Sequence, residues 1–144
     1  MNSSPTTSAP GPAPVNGPAL KSAAELAGRI LMSALFLLSG LAKIGNYAGA
    51  AAYMAAAGVP SAVLPLVIAT EVLGAVAIII GWRTRVVAFL LAGFALLTAL
   101  IFHRNFADQT QTTEFLKNVS IAGAFLLLVV NGAGTFSVDH RHGR

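Results

Sequence analysis

Ala62-Val-Leu-Pro-Leu-Val-Ile-Ala-Thr-Glu71-Val-Leu-Gly-Ala-Val-Ala-Ile-Ile-Ile80 is apolar from end to end apart from Thr70 and one carboxylate near its middle. A helix needs about 20 predominantly apolar residues to cross about 30 Å of hydrocarbon, and this stretch has that length and character. A charge at the bilayer centre costs about 3 kcal/mol or more even on the lenient insertion scales, so Glu71 is a candidate functional group. A buried ion pair, or a protonated glutamate hydrogen-bonded to a neighbour, would account for the same residue.

Working outward, further apolar segments lie at Leu26–Ile44, Val86–Phe102 and Phe115–Ala133. With 56% hydrophobic and only 10% charged residues, and a mean hydropathy of +0.75, the chain has no polar coat for a water-soluble domain of its size. The expected fold is all-α: a polytopic membrane four-helix bundle, lipid its environment, with no nucleic-acid partner. The first, third and fourth spans are slightly short unless Arg29, Lys43, His103 and Lys117 extend from their ends toward the interface. Residues 1–24 read as a disordered tail, with Pro5, Pro10, Pro12, Pro14 and Pro18 among Ser, Thr, Ala and Gly. That tail lacks the basic and apolar regions of a cleavable signal peptide, so the first span is expected to act as an uncleaved signal-anchor. Residues 25–136 form the membrane domain, and residues 137–144 a basic C-terminal tail.

Orientation follows from the basic residues, which stay cytoplasmic in short loops. Lys21, Arg29, Arg83, Arg85, Arg141 and Arg144 fall on one side, and Lys43, Arg104 and Lys117 on the other. Both termini are therefore expected in the cytoplasm of a bacterial cell, with the protein in its inner membrane. Lys43, His103, Lys117 and Asn118 then lie near the outer face, with Glu71 a few turns below them.

Helical spacing gathers these groups. Ser33, Phe36, Leu37, Gly40 and Lys43 share one face of the first span. Ala88, Ala92, Ala95, Ala99 and His103 form a small-residue stripe on the third, and Asn118 shares a face with Ala122 and Phe125 on the fourth. Small residues let helix backbones approach closely, and ordinary packing would explain each stripe taken singly. Lys43, Glu71, His103, Lys117 and Asn118 are thus the candidate ligand-binding or proton-relay residues; none is assigned a catalytic role. Lys43 or Lys117 beside Glu71 would offset its desolvation. Between the first two spans, Asn46 to Pro60 reads as a short interfacial helix stopped by Gly58 and Pro60, with Tyr47 and Tyr53 suited to the headgroup region. Arg104 to Glu114 reads as a solvated outer loop capping the bundle.

Counting restricts the cofactor chemistry. No cysteine is present, so the chain carries no persulfide, disulfide relay or cysteine-ligated cluster of its own. His103 is the single membrane histidine, which argues against an intrachain bis-histidine haem. His140 and His142 belong to the basic tail, read as solvated rather than metal-binding, because nothing nearby completes a coordination shell. No metal and no intrinsic cofactor are expected.

The runs Arg29-Ile30-Leu31 through Ser39-Gly40-Leu41-Ala42-Lys43, Glu71-Val72-Leu73-Gly74, Gly81-Trp82-Arg83-Thr84-Arg85, Phe102-His103-Arg104-Asn105-Phe106 and Lys117-Asn118-Val119-Ser120-Ile121-Ala122-Gly123 resemble the DoxX family of small four-helix membrane proteins. The spacing is most similar to its YqjF-type inner-membrane branch, over Leu26 to Asp139. The resemblance implies a theme of quinone-coupled oxidation or redox stress, with a membrane quinone as ligand and a redox enzyme as partner. A quinone's carbonyls would accept hydrogen bonds from Lys, His or Asn, while Glu71 and His103 would relay protons. Two other readings stand beside it. One is a proton-coupled carrier or efflux component for a small phenolic or hydrophobic molecule, which four short helices would form as a homo-oligomer. The other is a non-catalytic membrane anchor.

Overall fold

Residues 17–142 are described by the computed structural model. Helix α1 (Pro18–Gly45) is followed by α2 (Tyr47–Ala56), a single 3₁₀ turn (Ser61–Val63), α3 (Leu64–Ile80), α4 (Thr84–Phe102), α5 (Gln109–Asn131) and the short α6 (Val138–His142). Four of these helices are long and apolar enough to cross a membrane, the 3₁₀ turn extending α3 at its start. Arg29 lies opposite Ile79 and Lys43 opposite Glu71, so α1 and α3 run antiparallel. Pairs α1/α3 and α4/α5 pack along their lengths, α3 against α4 joins the pairs, and α1 touches α5 sparsely.

Phe36, Ala75, Ile78, Ala88, Leu91, Ala92, Ala95, Ala122 and Phe125 make the core. The α4 stripe Ala88, Ala92, Ala95 and Ala99 is fully enclosed, as close helix packing without a hydrophobic driving force between spans requires. Phe36 fills the centre, its ring 5.5 Å from Phe125 and 6.1 Å from Phe94. Outward-facing positions are large and apolar: Leu31, Leu66, Leu73, Phe89, Leu127 and Val130 are all exposed. That jacket is what lipid solvates and water does not.

Three boundaries differ from the sequence expectation. Helix α1 starts at Pro18, inside the segment read as a disordered tail, with proline in the first turn, where its missing N–H costs nothing; residues 1–16 lie outside the described part. Helix α5 starts at Gln109, so most of the expected Arg104–Glu114 loop is helical. Asp108 caps it, its carboxylate accepting from the Thr110 and Gln111 amides. The C-terminal segment folds back against the bundle as α6: the Asp139 amide donates to the Gly81 carbonyl at 2.9 Å. The expected interfacial helix is present as α2, closed after Ala56 by Gly58 at φ +78°.

The Asp139 carboxylate accepts from the Arg83 and Thr84 amides at 2.7 and 2.8 Å, serving the first turn of α4 from a distance. Arg83 is left-handed at φ 45°, a conformation unfavourable for a residue with a side chain and held here by that bond. Desolvation pushes the Asp139 carboxyl up, but the hydrogen bonds from Thr84 and Arg83 and the charge of Arg29 outweigh it, leaving it below the usual 3.8. A depressed folded value contributes stability above the ordinary range and loses it as pH falls through the folded value. Asp139→Ala is therefore expected to destabilise by about 1–2 kcal/mol at neutral pH. The gap to the wild type should close only below about pH 4, as read from thermal midpoints across pH. A gap independent of pH down to strongly acid conditions would show that the carboxylate is not what stabilises the turn.

Candidate functional site

The α1 face predicted from spacing sets the site. Ser33, Phe36 and Gly40 are buried along it, and Lys43 is its last member. Gly40 meets α3 at close range: a Cβ there would lie 2.6 Å from Val72 Cγ2 and 3.2 Å from Glu71 Cβ, so a larger residue would force α3 or the Val72 side chain to shift. That approach brings Lys43 onto Glu71. The ammonium donates to both carboxylate oxygens at 2.8 and 2.9 Å and to Ser39 Oγ at 2.7 Å. The Ser39 hydroxyl in turn donates to Glu71 Oε1 at 3.2 Å. Glu71 is 6% exposed, so the pair meets the condition under which a buried charge is tolerated: a partner plus further hydrogen bonds. Gly40→Ala should separate α1 from α3 at this level and cost about 1–3 kcal/mol. Unfolding of the detergent-solubilised protein measures this, and an unchanged midpoint would show that the helices have slack there.

The pair opens into a cavity of about 400 Å³ between α1, α2, α3, α4 and α5. Its walls are mainly aromatic and aliphatic, with Phe36, Tyr53, Met54, Phe94 and Phe102 prominent. Tyr53 of α2 stacks on Phe102 of α4, ring centres 5.3 Å apart. The short helix thereby covers one end of the cavity.

His103 and Asn118 reach the same cavity without bonding to the pair. His103 Nδ1 is 2.9 Å from Gln111 Oε1, and Asn118 Nδ2 donates to the Glu114 carbonyl at 3.0 Å. Lys117 is not among the lining residues. It pairs with Glu114 at 2.8 Å on a half-exposed surface, because consecutive helical residues point about 100° apart and Asn118 takes the inward direction. Glu114, placed in a loop by its sequence, lines the cavity. Ser39 and Gln111, which the sequence did not single out, hold Glu71 and His103.

Arg29 was expected to extend toward the interface. Instead it is 1% exposed. Its guanidinium donates to the carbonyls of Ile78 and Ile79, at 3.3 and 3.0 Å, and to that of Phe136. It closes the C-terminal end of α3 and fastens the returning C-terminal segment. No group of three or more His, Cys, Asp or Glu suited to a metal occurs among the described residues.

The DoxX family profile matches residues 24–104, a span that takes in Lys43, Glu71 and His103. Over 120 residues the chain is 48% identical to the inner membrane protein YqjF of Escherichia coli (strain K12), covering 83% of this chain and 92% of that one. It is 40% identical over 124 residues to the inner membrane protein YphA of the same organism, covering 81% and 88%. No solved structure matches the chain. With four apolar spans around one polar pair, and relatives of the inner membrane matched over most of their length, this chain is a multi-pass inner-membrane protein and belongs to the DoxX family.

Proposed function

We propose that the cavity at the α2 end of the bundle binds the ring of a membrane quinone or its hydroquinone. On this reading the protein is a quinone-docking subunit linked to redox stress, working with a redox enzyme that supplies the electrons. The observation that carries it is the Lys43–Glu71–Ser39 cluster opening into an otherwise apolar, aromatic-walled cavity. Ligand sites combine such walls with a few placed polar groups. A quinone carbonyl would accept from the Lys43 ammonium, and a hydroquinone hydroxyl would donate to the Glu71 carboxylate. Asn118 and His103 offer further polar contacts on the cavity wall. Reducing a quinone to hydroquinone takes two electrons and two protons; on this reading the partner enzyme delivers the electrons, and Glu71 and His103, both on the cavity wall, would pass the protons. Both termini are assigned to the cytoplasm on the distribution of basic residues, which puts the cavity toward the outer face. A single cysteine introduced into this cysteine-free chain and labelled from either side tests that orientation.

The function is tested by titrating a short-chain ubiquinone analogue into detergent-purified protein with calorimetric detection. Saturable binding is expected, weakened about tenfold, the equivalent of one hydrogen bond of about 1.4 kcal/mol, by Glu71→Gln and by Lys43→Met. Lys117→Ala should leave it unchanged. Undiminished binding by the first two variants, or no binding by folded wild type, would sink the assignment. A Glu71→Gln protein that binds normally but loses proton-coupled uptake of a phenol in liposomes would make the protein a carrier.

A further inference from the structure

The end of the bundle away from the quinone cavity carries a second concavity, of about 670 Å³. Its geometry follows from helix lengths. Arg29 is level with the last carbonyls of α3, so the turns of α1 from Pro18 to Gly28 continue about 16 Å past them. The C-terminal segment returns beside this extension, and the Trp82–Arg85 turn completes the wall. Lys21 and Glu25 line one side, Arg83 to Val86 another, and Asn131 to Thr135 with Ser137, Asp139 and His140 the third.

The charges are unevenly committed. Of the two carboxylates, Glu25 is 3.8 Å from Lys21, and Asp139 is occupied by the Arg83 and Thr84 amides. The Arg83 guanidinium lies over the Trp82 ring, 5.7 Å from its centre. Among the described residues neither Arg83 nor Arg85 has a carboxylate within ion-pair distance, and both side chains are exposed. Apolar surface borders the rim of the concavity: Val86, on its wall, is 58% exposed, Trp82 and Phe136, next in the chain to wall residues, are 50% and 56% exposed, and Phe89 and Leu90 are exposed one turn on along α4.

We propose that this basin binds the phosphate of an anionic phospholipid headgroup. Arg83 and Arg85 face the phosphate, Arg85 offering a planar fork suited to its oxygens. The acyl chains descend over Val86, Phe89 and Leu90. Trp82 marks the headgroup depth, where its ring is at once apolar and hydrogen-bonding. That rim favours a lipid over a free anion, which would use the cations and leave the apolar surface idle. The unpaired arginines favour a headgroup without a cation of its own, because a choline or ethanolamine would set a like charge against them.

The test is native mass spectrometry with a parallel thermal-shift series on the full chain in a neutral detergent. Dioleoyl phosphatidylglycerol, dioleoyl phosphatidylcholine and glycerol 3-phosphate are titrated in turn. Phosphatidylglycerol should give retained adducts and raise the unfolding midpoint, with phosphatidylcholine at least tenfold weaker and glycerol 3-phosphate inert. Arg85→Gln, and Arg83→Asn with Arg85→Gln, should unfold near the wild-type midpoint in detergent alone yet bind phosphatidylglycerol at least fivefold more weakly. Asparagine is chosen because it tolerates the left-handed conformation at position 83. Equal binding of the two lipids, or undiminished binding by Arg85→Gln, would overturn the proposal. Saturable stabilisation by glycerol 3-phosphate alone would make the basin a soluble-phosphate site and refute the lipid assignment.

Discussion

Lys43→Ala should destabilise the detergent-solubilised protein by about 3 kcal/mol, since it leaves the buried Glu71 carboxylate with the Ser39 hydroxyl as its remaining partner. Glu71→Ala should cost a similar amount, because the Lys43 ammonium would then face an apolar cavity with Ser39 as its remaining partner. The informative variant is the double replacement Lys43→Met with Glu71→Leu. Well-packed apolar residues of similar volume often replace a buried pair at little cost. The double variant should therefore unfold within about 1 kcal/mol of the wild type, giving a coupling energy of several kcal/mol in the cycle it closes with the single variants Lys43→Met and Glu71→Leu. It should at the same time bind no quinone. Stability retained with binding lost would assign the pair to ligand recognition rather than to folding. Additive losses in the cycle would mean that the 2.8 Å contact contributes nothing specific, and the site would lose its centre.

How much of this was legible in the sequence depends on which signal each residue relied on. Spacing served well. The α1 face of Ser33, Phe36 and Gly40 is buried as its offsets of three and four predicted, and Lys43 at its end reaches Glu71. The same rule placed the alanine stripe of α4 in the core. Hydropathy served less well at helix ends, because polar residues continue a helix outside the hydrocarbon as readily as inside it. The first turn of α5 was therefore read as loop, although Asp108 followed by Thr110 and Gln111 carries a recognisable cap. That misplacement hid Gln111 and Glu114 from the site. Lys117 is a candidate by its depth at the outer end of the fourth span, a criterion blind to the rotation of the helix that turns it away from Asn118. The return of the C-terminal segment depends on contacts between Asp139 and residues more than fifty positions away, which no local pattern encodes.

Arg29 is the residue whose role spacing would have revealed had it been applied one turn further, since it stands four before Ser33 on the inward face. Its replacement carries the other large expected effect. Arg29→Leu should cost about 3–5 kcal/mol. It strips the Ile79 carbonyl, one of the acceptors that a helix leaves unsatisfied at its end, leaves the Ile78 carbonyl to the Gly81 amide alone, and releases the Phe136 carbonyl. Arg29→Lys keeps the charge but loses the planar fork that reaches all three, so about half the loss should remain. Gly81 sits against the guanidinium and against Ser137 in a left-handed turn, so loosening Arg29 should also free that turn and the α6 segment bonded to it. Hydrogen exchange distinguishes this from general destabilisation: the Asp139 amide, held by the Gly81 carbonyl, should exchange faster in Arg29→Lys, while the amides of the α4 core around Ala92 keep their protection. Uniform acceleration would make Arg29 a determinant of the whole bundle rather than of its arginine-rich end. The local outcome would make it the clasp that shapes the basin, and Arg29→Lys would then weaken phosphatidylglycerol binding without disturbing the aromatic-walled cavity at the other end.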